Sequence, residues 1–242
     1  MQGSRLVQTA HELPGLRPRQ RHVEGDLLRP RPPAHGRLKL KGRQRPIFFT
    51  ATMMSIAELT AKVLEHTAKE ILCARVANKG ASGLLLETIT GVPHGPAALD
   101  CSDGELKVYP IETNRHGAKV PKETMAICML STDDLTNNEF ANSRPGKKMS
   151  TMLIVPYERK DDKVVYLNPY TFRLSDHPEL AATLKADYDA IRAQFLKEGQ
   201  LTSRTGELLQ NRTKGPGHGS TSRAFYLRKA FMQKVVPLHS AQ

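Results

Sequence analysis

The chain has 242 residues, 39% of them hydrophobic and 25% charged, with a formal net charge of +12. No apolar run approaches the roughly 20 residues of a membrane-spanning helix, so no membrane partner is expected, and the length suits one ordinary folded domain rather than two catalytic ones. The three cysteines, Cys73, Cys101 and Cys128, make no C-x-x-C pair, which argues against a zinc knuckle or a disulfide framework and for a reducing cytoplasm.

The first 30 residues lack the apolar core and small-residue cleavage site of a secretory signal, which again gives a cytoplasmic expectation. A basic surface collects polyanions, so the net charge invites a nucleic-acid partner. Eight of the twelve positive charges, however, fall in residues 1–52, where eleven Lys and Arg face three acids. Six of the sixteen prolines also lie before Phe49, and no apolar period is sustained there, so 1–52 is expected to be a disordered basic Pro/Arg-rich tail. Two readings of the tail stand: a basic arm that grips DNA, or translated upstream sequence ahead of a start at Met53 or Met54. The folded domain is expected over 53–242.

Ser55-Ile56-Ala57-Glu58 has the S-x-x-E form of a helix capping box. The helix it opens is expected to reach about Cys73, with Ile56, Leu59, Val63, Ile71 and Leu72 on one face. A second helix should follow Gly80 and Gly83, carry Leu84 to Ile89 and end at Gly91. Short apolar runs over 105–110, 124–130, 149–156 and 164–167 read as strands of a largely buried sheet. A long amphipathic helix is expected from near Asp176, with Asp176 and Glu179 as its capping pair, Leu180, Leu184, Tyr188, Ile191 and Phe195 on its buried face, and Gly199 as its stop. Short strands or turns should follow, around a glycine-rich loop at 215–219.

The stretch with chemical content is Asp100-Cys101-Ser102-Asp103-Gly104-Glu105-Leu106-Lys107. On a strand, Glu105 and Lys107 project to the same face because side chains alternate with period two. If Asp100 converges on them from the preceding turn or an adjoining strand, two carboxylates and the Leu106 carbonyl offer oxygen ligands to Mg²⁺. Phosphodiester hydrolysis needs such a metal, to neutralise charge on the phosphate and activate water, and a cation beside it. A Glu-x-Lys pair facing solvent is common on strands, so the surrounding sequence has to decide its meaning.

Upstream stands Lys79-Gly80-Ala81-Ser82-Gly83-Leu84-Leu85-Leu86-Glu87, a K-G-x-x-G-x-x-x-E string. With the D, E-x-K that follows, it resembles the MutH and Sau-type endonuclease family. Further blocks resemble that family in the same order: Pro121 to Thr124, Lys147-Lys148-Met149 with Leu153 to Pro156 as a basic strand entry, Leu201 to Glu207 with Leu209-Gln210, and Phe225 to Lys229. The resemblance covers about residues 55–236.

It implies an α/β (α+β) restriction-endonuclease-like core, a central mixed β-sheet flanked by helices. It implies catalytic roles for Glu87, Asp100, Glu105 and Lys107, with metal held by Asp100, Glu105 and Glu87. DNA contacts are expected at Lys79, Lys148, Arg204 and Tyr226; arginine can pair with guanine or phosphate, and tyrosine can touch a base edge or methyl group. Two departures stand out. The gap from Asp100 to Glu105 is shorter than the family's usual spacing, so Asp103 competes as a ligand; Asp100 is preferred because it follows an apolar segment and leaves a turn's length before the strand. Ser150 stands where some relatives have a lysine, which leaves Lys148 as a shifted substitute. His218, in the glycine-rich loop, is a weaker candidate for a catalytic base.

The expected function is sequence-specific, Mg²⁺-dependent cleavage of double-stranded DNA at a GATC-like site, with Mn²⁺ as a substitute ion and restriction placed ahead of mismatch-repair nicking. A second copy of the chain or a repair partner would be the activating protein. The alternative is a catalytically inactive DNA-binding module. Whether the Asp100 and Glu105 carboxylates converge with Lys107 alongside separates the two.

Overall fold

Apolar residues run without a break through Met152, Leu153, Ile154 and Val155, a pattern that a strand satisfies only when both its faces are covered. In the computed structural model, which describes residues 53–73, 80–95, 98–214 and 221–236, this run lies in β5 (Thr151–Lys160) at the centre of a mixed sheet. Along one edge β5 pairs in parallel with β2 (Glu105–Thr113). It also pairs antiparallel with β7 (Tyr170–Arg173) over its first half and with β6 (Lys163–Tyr166) over its second. Two short strands complete the sheet: β1 (Glu70–Leu72) beside β6 and β3 (Lys119–Pro121) beside the end of β2.

Alternation along the two central strands divides the interior. Leu153, Val155 and Tyr157 of β5, with Leu106 and Val108 of β2, pack with α1 (Ile56–Leu64) and α2 (Ala81–Thr90). Met152 and Ile154, with Tyr109 and Ile111, form the other core with Leu184, Tyr188 and Ile191 of α5 (Pro178–Glu198) and with a three-stranded sheet. That sheet is β4 (Met125–Met129), β9 (Arg223–Leu227) and β8 (Leu209–Thr213), in that order. Three short helices, α3 (Thr132–Asn137), α4 (Arg144–Ser150) and α6 (Lys229–Val235), add Leu135, Met149 and the Phe231–Met232 pair to the same core. The architecture is α+β, a mixed central sheet flanked by helices, as the sequence led us to expect. Among the described residues no helix is long and apolar enough to cross a membrane.

The Ser55–Glu58 capping box is present, and Gly91 and Gly199 end α2 and α5 in the left-handed conformation. Four local expectations are corrected. The first helix stops at Leu64: Ala68 has φ 58°, and Glu70 to Leu72 join β6, so backbone pairing outweighs the helical spacing of Ile71 and Leu72. The second helix starts before Gly83, whose missing side chain lets it pass close to Val108. Lys147 to Met149 belong to α4 rather than to a strand entry, because Ser143 caps this helix and Pro145 suits its first turn. Asp176 and Glu179 do not cap α5; His177 stands at the cap position with Pro178 behind it, and no side chain bonds the free amides. The tail at 1–52, Lys79 and the loop with His218 lie outside the described residues.

Candidate active site

The turn before β2 delivers its acids to different tasks. Cys101 N–H donates to the Gly104 carbonyl (2.9 Å) and Ser102 N–H to the Met54 carbonyl (3.0 Å), which folds 101–104 against the start of α1. A Cβ on Gly104 would come within 2.8–2.9 Å of the Ile56 side chain and 2.9 Å of the Thr151 carbonyl, so only glycine lets the turn approach this closely. Asp103 Oδ1 accepts from Ile56 N–H (2.7 Å) and is thereby committed to the end of α1. Asp100 points the other way: its Oδ2 accepts from Leu106 N–H (3.1 Å).

That bond is available because β2 pairs with β5 along one edge while β3 joins the other edge only from Ile111 onward. The Leu106 N–H and carbonyl face this open stretch. Asp100 takes the N–H, and Lys107 Nζ donates to the carbonyl (3.2 Å).

Glu105 is 2% exposed and pairs with two lysines. Lys107, two residues on and on the same strand face, donates to Glu105 Oε1 at 2.5 Å. Lys148 reaches the same oxygen from α4 at 2.6 Å, although it lies 43 residues away in sequence and is itself buried. Glu105 Oε2 is buried with no hydrogen-bond partner among the described residues. One oxygen therefore holds two ammonium groups while its twin holds none, although a buried carboxylate oxygen is costly to leave unsatisfied.

The neighbouring acids feel one another. Burial, and then repulsion from Glu105, push the Asp100 carboxyl above its ordinary range; Lys107, Lys148 and the Leu106 N–H pull in the opposite direction without cancelling them. Glu87 on α2 is raised by burial and then by Asp100, and is lowered in part by His94 and Lys107. His94 Nδ1 lies 2.8 Å from Glu87 Oε2. Three carboxylates thus share a region with two lysines, and at Asp100 and Glu87 burial and the neighbouring carboxylate outweigh the nearby positive charge.

Asp100, Glu105 and Lys107 come together on the open edge and face of β2, with Glu87 within electrostatic reach. Lys148, expected among the DNA contacts, is bonded to Glu105 instead of standing on the surface. The Ser143 cap and Pro145 were the sequence signal for its helix, and hence for its reach. The Glu87–His94 pair had no signal in the spacing. Arg204 is exposed in the loop between α5 and β8, and Tyr226 is half-buried on β9 with the Arg212 guanidinium 5.9 Å above its ring. Both belong to the three-stranded sheet and its loop, not to the β2 edge.

The donors are hard oxygens suited to Mg²⁺, which keeps several waters and commonly takes only one or two carboxylates. Asp100, the orphaned Glu105 Oε2 and the Leu106 carbonyl fit that demand. Among the described residues no group of three or more His, Cys, Asp and Glu side chains could hold a metal ion, so a cage of three carboxylates is not formed.

Comparison with known proteins bears on the same stretch. Residues 97–187 match the family model described as DNA mismatch repair enzyme MutH, a span containing Asp100, Glu105, Lys107 and Lys148. Over 153 residues the chain is 30% identical to the DNA mismatch repair protein MutH of Shewanella woodyi (strain ATCC 51908 / MS32), a match covering 54% of this chain and 63% of that protein. The chain thus matches less than two thirds of that relative's length.

Proposed function

We propose, from the premise that the 97–187 region belongs to the MutH and Sau-type endonuclease family, that this protein is a sequence-specific endonuclease hydrolysing phosphodiester bonds of double-stranded DNA. One observation carries the reading beyond family membership: the buried Glu105 carboxylate has one oxygen on Lys107 and Lys148 and the other without a partner among the described residues. A purely structural ion pair would be expected to satisfy both oxygens. The arrangement suits a site that meets a cation and a phosphate in the course of its work.

In this reading Asp100, Glu105 and the Leu106 carbonyl would hold Mg²⁺, with Mn²⁺ as a substitute, and Glu87 would support them from α2. The bound ion would neutralise the phosphate and lower the pKa of a water molecule. Lys107 would orient an attacking water and meet the negative charge that builds on the phosphate, since its Nζ already lies at Glu105 and the Leu106 carbonyl. Lys148 holds Glu105 in place through its ion pair with Oε1. Lys79, Arg204 and Tyr226 are assigned to DNA contact, the target is a GATC-like site, and the setting is the cytoplasm. The folded nuclease domain begins at about residue 53, behind the basic tail. Restriction-type cutting and mismatch-repair nicking share this chemistry; they differ in whether a second copy or a repair protein activates the chain.

The test is incubation of the full chain, and of its Lys107→Ala variant, with supercoiled plasmid from hosts that do and do not methylate GATC, with Mg²⁺ or with chelator. We expect metal-dependent relaxed or linear product that the variant loses by a factor of at least about a hundred. Relaxed circles point to nicking and discrete fragments to restriction. DNA binding without cleavage under every condition, including added repair proteins, would replace this reading with a binding module.

A further inference from the structure

The loop over 201–207, between α5 and β8, is held along most of its backbone by side chains from outside it. The Arg228 guanidinium donates to three of its carbonyls, Gly206 (3.1 Å), Ser203 (3.2 Å) and Arg204 (3.3 Å). The Asp187 carboxylate, buried on α5, accepts three successive amides, from Glu207 (2.7 Å), Leu208 (2.7 Å) and Leu209 (2.8 Å). Asn211 Nδ2 donates to the Thr202 carbonyl (2.9 Å), and Thr205 Oγ1 donates to Gln194 Oε1 (3.0 Å). Gly206 has φ +93°, and a Cβ there would fall 1.8 Å from the Leu209 carbonyl oxygen, so only glycine fits.

Connecting a helix to a strand needs far less than this. The Arg204 side chain, at the middle of the fixed backbone, is exposed and makes no hydrogen bond or ion pair among the described residues. Arg228 lies two residues after Tyr226, at the end of β9, and its own N–H donates to the Leu208 carbonyl (2.8 Å). A single guanidinium therefore ties the loop bearing Arg204 to the strand bearing Tyr226.

We propose that Arg228 and Asp187 are positioning residues that hold the 201–207 loop in its DNA-bound form before DNA arrives, so that Arg204 and Tyr226 read the target as one unit. This rests on the sequence-specific nuclease reading above. A loop already ordered loses little conformational entropy on binding, and a guanidinium held in register can discriminate between bases where a mobile one would find any phosphate. Lysine cannot replace Arg228, because one ammonium does not reproduce a planar fork bridging three carbonyls.

The test is a double-mutant cycle in the full chain with Arg204→Ala, Arg228→Lys and the pair combined. Each is measured on a duplex carrying one GATC site and on a duplex with one of those base pairs exchanged, for binding under chelator and for cleavage with Mg²⁺. Arg228→Lys is expected to reduce the preference for GATC about tenfold, the scale of one base-pair contact, and to cost nothing further once Arg204 is alanine. Gln194→Ala, which releases Thr205 at the far side of the loop, should move the preference in the same direction by less, and serves if Arg228→Lys is too unstable to assay. Additive losses, or equal weakening on both duplexes, overturn the proposal while leaving the nuclease reading intact. A wild-type chain that does not distinguish the duplexes removes both.

Discussion

Two buried carboxylates, Glu105 at the start of β2 and Asp187 in the middle of α5, are almost equally hidden, at 2% and 7% exposure, and are treated in opposite ways. Asp187 accepts three backbone amides through both of its oxygens and, among the described residues, pairs with no ammonium group. Glu105 receives two lysines on one oxygen and, among the described residues, nothing on the other, beside a second carboxylate that burial and repulsion have pushed upward. The first arrangement is complete within the fold and marks architecture. The second leaves one buried oxygen without a partner among the described residues, which is why we propose chemistry there. Burial and charge alone would rank the two alike; the number of partners per oxygen separates them.

Substituting each carboxylate should break the comparison in different observables. Glu105→Gln, which keeps an acceptor for one lysine, is expected to lower plasmid cleavage by about two to three orders of magnitude while the chain still folds, as circular dichroism would show. If cleavage persists, Glu105 is not part of the machinery. Asp187→Ala leaves three backbone amides without their acceptor, and should cost about 3–5 kcal/mol in a denaturant melt. Its single-turnover cleavage rate at saturating duplex, below the melting range, should stay within about tenfold of the parent. A loss of rate with unchanged stability would reverse the assignments.

The smallest effect is expected at Asp100. Its folded-state pKa is raised, first by burial and then by Glu105, so the folded chain takes up this proton more readily than the unfolded one. Stability from this group is present in full below the ordinary aspartate range and is lost as pH rises through the raised value. Asp100→Asn removes that penalty. At neutral pH under chelator the variant should be more stable than the parent by on the order of 1 kcal/mol, the gap closing as pH falls through the carboxylate range, although its cleavage is lost. A melting temperature lowered at every pH would show that Asp100 is structural.

Much of this was legible in the residues. The Ser55 cap, the stops at Gly91 and Gly199, the apolar face of α5 and the common face of Glu105 and Lys107 all depend on neighbours within a few positions, where a period of two or 3.6 dictates geometry. Where two local readings competed, long-range pairing decided. Ile71 and Leu72 suit a helix by spacing but lie in β1, because β6 offers them a ladder. Lys148 looked like a residue at a strand entry but sits on a capped helix that carries it to Glu105.

By itself the sequence determined the family resemblance, the α+β class and the E-x-K pair on β2, since each is written in short-range pattern and composition. Only the tertiary structure decided that Asp103 belongs to α1 and Asp100 to the open edge of β2, that Lys148 shares Glu105 with Lys107, and that Arg228 and Asp187 grip the Arg204 loop. Those contacts join residues from 6 to 47 positions apart. No spacing rule reaches across such distances, because the partners meet only after both cores have closed around the sheet.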